Sequence, residues 1–247
     1  MKNILRTVCL GAGESAQEEI SKMKNSQNYL HIDNLLLLDI QTQKQLFKEC
    51  LIDFDLVVII CAFDEKVEPE EVLKLRELLS QSNAIKVAFT LKDFENKLDG
   101  HIDTNFIVND MKSMSSFIES TLISLFSIIS TPEKDDIFLD LADLKTVLSH
   151  FGSSYISNVR CKGDNSAKEV MKEALNISKL NVVDLKKVVA TLVRFKLHPH
   201  YKIIEIAHAM DDILDAVSYE SDVIFGTSTD ANMDIDEVEV IVLLTLK

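Results

Sequence analysis

The sequence predicts an α/β fold in two parts: a parallel sheet covered on both sides by helices, a long connecting helix, and a smaller α+β unit. Three observations carry this. Apolar runs of strand length alternate with helical patterns through the first hundred residues, a long apolar helical stretch follows, and the rhythm changes after Pro132. The expected divisions are 1–111, 112–132 and 133–247.

In the first part the candidate strands are 4–10 (ILRTVCL), 34–40 (NLLLLDI), 56–63 (LVVIICAF), 85–90 (IKVAFT) and 104–108 (TNFIV). Helical patterns lie at 14–24, 42–50 and 69–80, the last with Val72, Leu75, Leu78 and Leu79 on one face. Continuous apolar strands alternating with helices predict parallel pairing. Residues 112–130 read as a helix whose Phe117, Ile118, Leu122, Leu125, Phe126 and Ile129 cover more than one face, as burial between two layers requires. Pro132 and the charged EKDD stop it, which places a boundary at 131–137.

In the second part helices are expected at 140–150, 165–176 and 201–217, and strands at 154–160, 186–195, 221–228 and 237–246. Asp164 and Asn165 are candidate caps for a helix with Ala167, Val170, Met171, Ala174 and Leu175 at helical spacing. At 201–217, Ile203, Ala207, Met210, Leu214 and Val217 form one face. The last two strands, joined by TDANMDIDE, suggest a hairpin at the sheet edge.

With 247 residues, 47% of them hydrophobic, the chain can bury a substantial core. A net charge of −14 and a pI near 4.8 argue against nucleic acid and anionic membrane surfaces, whose affinity comes from Lys and Arg. The start lacks the apolar region and cleavage site of a signal peptide, and no run reaches the roughly 18 apolar residues of a membrane helix. Cys9, Cys50, Cys61 and Cys161 have no C-x-x-C spacing and read as reduced thiols of a cytoplasmic protein.

Three stretches in the second half carry a family resemblance: FLDLADLKTVLSHFGSSYIS, KGDNSAKEVMKEALN and DVIFGTSTDANMDIDEVEVIVLLT. In order and spacing they resemble three landmarks of the second domain of FtsZ, the prokaryotic tubulin homologue. VCLGAGESA (8–16) is similar to that family's opening strand and glycine loop, and VAFTLKDF (87–94) to its strand ending T-K-P-F. The resemblance implies a tubulin/FtsZ-like two-domain architecture with a Rossmann-like first domain. It also implies that Asp140 and Asp143, in DLAD, match the two aspartates of a loop that enters the nucleotide site of the next subunit and positions the attacking water. The family's Asn two residues before the first Asp is Phe138 here.

The nucleotide side departs from the family. Its glycine-rich signature should follow LVVIICAF, where this chain has DEKVEPE. Phosphate loops need glycine because backbone N–H groups must face the anion at positive φ with no Cβ in the way. The six glycines are Gly11, Gly13, Gly100, Gly152, Gly163 and Gly226, so none lies between residues 14 and 99. Asp64, Glu65, Glu68, Glu70 and Glu71 instead crowd a helix start with Pro69 in its first turn, where they favour the helix dipole and repel phosphate. Only the 15 residues 41–55 separate LLLLDI from LVVIICAF, too few for the family's further phosphate-contacting segment. The position of a guanine-contacting Asn falls near Ser115 or Ser116, and Glu14 stands where the first loop would carry another glycine.

Plainer readings stand beside these. Asp140 precedes an apolar stripe of Leu141, Leu144, Leu148 and Phe151, so it suits a helix N-cap with Asp143 in the first turn; capping and an interface role are compatible. Gly11, Ala12 and Gly13 follow a strand and precede a helix, a weak signal for a vestigial phosphate turn. His198, His200 and His208 lack a familiar metal-ligand spacing, and no Ser-His-Asp or Cys-His arrangement is legible.

The expectation is an FtsZ-like protein without GTP hydrolysis or a resident cofactor, partnered by itself or by an authentic FtsZ through the Asp140/Asp143 end. The alternative is a GTP-binding filament former that takes GTP or GDP on GAGESA. A ligand sensor with a pocket beside the long helix is a third reading. The chain stops at Lys247, directly after the last strand, so the family's tail-borne route to a membrane anchor is not expected.

Overall fold

The computed structural model describes residues 6–12, 14–25, 35–39, 54–61, 69–91, 98, 100–109, 111–129, 133, 136–176 and 184–247. Two compact units emerge. The first runs to Ile123 and takes back Phe151–Ser153; the second holds Ser124–His150 and Ser154–Lys247.

In the first unit five strands, β1 (Thr7–Ala12), β2 (Leu35–Asp39), β3 (Leu56–Cys61), β4 (Ile85–Leu91) and β5 (Thr104–Val108), lie in the order β2-β1-β3-β4-β5, and every neighbouring pair is parallel. All six residues of β3 are fully buried, as a central strand covered on both faces requires. Helix α1 spans Glu14–Asn25 and α2 spans Pro69–Ser80. One face of α2 packs Val72, Leu75, Leu78 and Leu79 against Val8, Leu10, Val57 and Ile59, while Leu73 faces solvent. Phe89 and Phe106 stack at 5.3 Å, and Phe117 of helix α3 (Met111–Ile128) meets both edge-on at 6.0 and 6.5 Å. Burial along α3 follows Met114, Ile118, Leu122, Leu125 and Ile128, and Ile129 just past its end is buried too, but Ile123 is exposed.

The first strand follows Arg6 and runs through Ala12, with residues 4 and 5 of ILRTVCL outside the described residues, so Gly11 and Ala12 belong to the ladder, with Gly11 beside Asp39 and Ile60. The helix expected at 42–50 lies outside the described residues, as does Cys50. Cys9 and Cys61 are buried free thiols whose pKa values burial pushes up, and Cys161 is partly buried.

The second unit has helix α4 (Leu141–Leu148), strand β6 (Gly152–Lys162), helix α5 (Ser166–Ala174), strand β7 (Val188–Leu197), helix α6 (Ile203–Ala216), strand β8 (Asp222–Thr229) and strand β9 (Glu237–Leu246). Its strand order is β6-β9-β7-β8. The expected terminal hairpin is therefore wrong: β7 lies between the last two strands, parallel to β8 and antiparallel to β9. The cause is burial. Val238 and residues 240–244 of β9 are buried on both faces, which suits an interior strand, whereas Asp222–Phe225 of β8 are partly or fully exposed and suit an edge.

Three side-chain expectations also change. On α6 the buried stripe is Ile206, Ala209, Met210, Ile213 and Val217, while Ile203, Ala207 and Leu214 face solvent: the apolar set is wider than one face, and the core takes the neighbouring face. On α5, Asn165 holds the N-cap position without a side-chain bond; Tyr201 Oη instead accepts from Ala167 N at 3.2 Å and bonds Ser166 Oγ at 2.9 Å. Phe151 leaves the stripe of α4, exposed and at φ 54°.

Candidate functional site

Asp140 and Asp143 come together at the start of α4. Asp140 is extended (φ −114°, ψ −177°), and its Oδ1 accepts from Ala142 N at 2.7 Å and Asp143 N at 3.0 Å. Asp143 Oδ2 in turn accepts from Asp140 N at 2.8 Å. This reciprocal capping box satisfies helix N–H groups that would otherwise lack partners, and both charges favour the positive end of the helix dipole. Behind the cap, Leu144, Val147 and Leu148 anchor α4 in the core. Asp140 stays exposed and Asp143 partly so. One oxygen of each carboxylate is engaged in the cap, and the pair can still accept hydrogen bonds from a partner.

The segment leading into this cap lies along β8. Ile137 N donates to Thr227 Oγ1 at 2.9 Å, and Thr227 N donates to Ile137 O at 3.0 Å. Asp136 Oδ2 accepts from Glu133 N at 2.7 Å and from Thr229 N at 3.2 Å. Leu139 is buried, whereas Ile137 and Phe138 are 43% and 45% exposed, which leaves two apolar side chains in solvent beside the carboxylates. Gly226 makes the approach feasible: a Cβ there would sit 2.4 Å from Leu139 Cγ and 2.7 Å from Ile137 O.

Sequence reasoning missed Asp136, Thr227 and Gly226 as parts of this loop. The signal that could have found them is FGTS at an edge strand, where a glycine marks close approach of another backbone.

The segments expected to correspond to a nucleotide site are held differently. A Cβ on Gly11 would meet Ala16 O at 2.9 Å and Ile20 Cγ1 at 3.0 Å, so this glycine lets α1 cross close over β1. That close crossing accounts for Gly11 by packing alone. Gly13 lies outside the described residues, as do Asp64, Glu65 and Glu68; Glu70 and Glu71 lie in the first turn of α2. Ser115 Oγ donates to the buried carboxylate of Glu19, which also pairs with Lys22, while the exposed Ser116 bonds Ser113 O within its own helix.

The histidines serve local geometry. His198 Nδ1 accepts from His200 N at 3.1 Å, with the rings 5.3 Å apart, and His208 is exposed on α6. Among the described residues no group of three His, Cys, Asp or Glu side chains is arranged to hold a metal ion, and no helix is long and apolar enough to cross a membrane.

Comparison with known proteins bears on the fold and on the second half of the chain. Residues 152–246 match the family model of the FtsZ family C-terminal domain. The cell division protein FtsZ of Helicobacter pylori strain J99 is 30% identical over 130 residues, which is 52% of this chain and 34% of the relative. The chain thus spans about a third of that relative's length. Among solved structures, the empty FtsZ dimer of M. jannaschii superposes with a TM-score of 0.69 at 17% identity, covering 98% of this chain and 88% of the other. CetZ from Methanosaeta thermophila gives 0.70 at 13% identity, covering 98% and 86%. The structural likeness carries the fold, and the sequence match carries the second half. Together they make the chain FtsZ-like in its fold and, over residues 152–246, in its sequence, with no glycine between residues 14 and 99.

Proposed function

We propose that this protein acts by protein association in cell division or cytoskeletal organisation, joining copies of itself or FtsZ-type filaments through the loop that carries Asp140 and Asp143, without hydrolysing GTP. The observation that carries this reading is the difference between two segments of the chain. The loop before α4 presents two carboxylates and exposed Ile137 and Phe138, and Ile137 is held on β8 by Thr227 where Gly226 allows the approach. Apolar side chains beside charges are the composition of an association surface. In contrast, residues 14–99 hold no glycine, and acids follow β3 where backbone N–H groups would have to meet phosphate.

A molecule with one such contact joins a filament through that contact only. The next subunit would have to dock on a face that supplies carboxylates in place of a nucleotide. The expected activity is capping or modulation of assembly.

Two measurements test this. Calorimetric titration of the full chain with GTP and GDP in the presence of magnesium is expected to show no saturable binding; micromolar or tighter binding overturns the reading and favours a GTP-binding filament former that uses residues 11–16. Sedimentation with FtsZ filaments is expected to show co-pelleting or altered assembly, lost in Asp140→Asn/Asp143→Asn. Self-association of the chain, lost in the same variant, is the other supporting result. If neither occurs, association by this loop is wrong.

A further inference from the structure

We infer that the open half of β8 is a docking edge for an extended, basic segment of a partner protein, which adds to the sheet as a further strand. β8 ends the order β6-β9-β7-β8, so one of its long sides has no strand beside it. In a parallel ladder the N–H and C=O of one residue point to the same side, and successive residues alternate. The last residues of β8 and the turn after it fix the phase. Asp230 N bonds Leu197 O on β7, whereas Thr227 N and Thr229 N point away from β7, to Ile137 O and Asp136 Oδ2. Val223 and Phe225 share the phase of Thr227, so their backbone groups face outward too, and among the described residues none pairs with them there.

The segment 136–139 takes the edge from Thr229 back to Gly226, running antiparallel to β8, and leaves Asp222–Phe225 open. Exposed edges are commonly blunted by Lys or Pro, and residues 203–229 contain neither. Side chains on the open half suit an alternating partner. Phe225 is in register with Val193, which belongs to the core that α5 and α6 cover, and it lies on that face 41% exposed beside the partly buried Val223. Asp222 projects to the opposite face and is exposed.

Charge selects the occupant. The approach to the strand exposes Asp215, Glu220 and a Tyr219 that is 92% accessible, and no Arg lies in 203–229 either. Lys186, which reaches the end of α6, spends its donors on Asp215 O at 2.6 Å and Val217 O at 2.9 Å. An added strand of about five residues makes backbone hydrogen bonds to Val223 and Phe225, lays apolar side chains beside Phe225 and sets basic ones beside Asp222. This surface is separate from the Asp140 cap and does not rest on the function proposed above.

The probe is a short peptide of alternating Val and Lys, added to the full chain and followed by calorimetry and amide hydrogen exchange. Saturable binding is expected, with exchange at the Val223 and Phe225 amides slowed about tenfold or more and the β7 amides unchanged. Phe225→Pro removes an outward N–H without touching the bonds to β7, and is expected to weaken binding about tenfold. The same peptide methylated at its backbone nitrogens keeps its charge but cannot donate; it is expected not to bind, and it carries the test if the Pro variant fails to fold. Asp222→Lys is expected to weaken binding about fivefold. Asp140→Asn leaves β8 intact and is expected to bind the peptide as the wild type does.

Absence of saturable binding overturns the inference. So does binding that backbone methylation leaves unchanged, which would be charge attraction without strand pairing. Equal binding of an alternating Val and Glu peptide overturns the basic partner. Protection of the Val223 and Phe225 amides that rises with protein concentration alone gives the edge to a second copy of the chain and overturns it as well.

Discussion

The two units of this chain use glycine for close approach at different kinds of contact. In the first, Gly11 lies in a central strand and gives room to a helix crossing above it, a contact that any packed α/β sheet needs. In the second, Gly226 lies in an edge strand and gives room to an irregular loop whose next residues are the exposed carboxylate cap. The first unit preserves a framework, since six fully buried residues of β3 and the apolar face of α2 specify the sheet whatever stands in the connections. The second preserves a placed loop. Burial maintains a fold over a wide range of sequences, whereas a loop held on a sheet depends on a few positions with no substitute.

The largest expected effect breaks the second unit at that position. Gly226→Val puts a branched side chain where a single Cβ already meets Ile137 O at 2.7 Å, and a backbone atom in contact cannot turn aside. A stability loss of about 3 kcal/mol is expected by urea denaturation, with loss of the hydrogen bonds between Ile137 and Thr227. Wild-type stability would mean that the loop lies elsewhere in solution.

Gly11→Ala sharpens the other half of the comparison. Its Cβ meets Ala16 O at 2.9 Å and Ile20 Cγ1 at 3.0 Å, so α1 has to shift. The expected cost is about 1–2 kcal/mol, the same with and without GTP. If Gly11 served phosphate and not packing, stability without nucleotide would be unchanged and any effect would appear only in nucleotide binding.

Asp140 separates structure from association within one residue. Asp140→Ala removes the acceptor for two helix N–H groups and is expected to cost about 1 kcal/mol. Asp140→Asn keeps the cap and is expected to stay within a few tenths of a kcal/mol of the wild type. Any loss of association in the Asn variant then belongs to the missing charge. If the Asn variant associates normally and only the Ala variant fails, the aspartate is a cap and nothing more.

What the sequence made legible follows from what its signals report. Periodicity reports burial, so the β3 run, the α2 face and the α5 stripe were readable, and the last two of the three motifs in the second half fall within the matched region 152–246, while the first lies mostly before it. The cap at Asp140 was readable because its bonds close within four residues. Pairing partners are a different matter: β8 and β9 are adjacent in sequence, yet the apolar richness of β9 on both faces should have placed it inside the sheet and not in an edge hairpin. Tyr201 as the cap of α5, 34 residues from Ala167, and Asp136 on Thr229, 93 residues away, are contacts that no local pattern announces.

The turn that replaces the expected hairpin offers the last and smallest test. Asp230 N donates to Leu197 O at the end of β7, Asp230 Oδ1 accepts from Asn232 N, and Lys196 Nζ pairs with Asp230 Oδ2 at 2.7 Å. Lys196 and, after it, the Asn232 N–H bond hold the Asp230 carboxyl down at about 2. A folded pKa below the unfolded one means that the ionised carboxylate stabilises the fold above the ordinary aspartate range, and that this contribution fades as pH falls from about 4 towards 2. Wild type and Asp230→Asn should therefore differ in Tm at pH 6 and converge towards pH 2, by less than Asp140→Ala costs, because the pair is partly solvated and salt screens it. A difference independent of pH would assign the effect to the Asx turn and not to the charge. A tether of this kind, at the crossing from β8 over β7 to β9, holds the edge strand that carries Gly226 to its neighbour, so the same turn that rules out the hairpin helps to keep the loop-bearing strand in register.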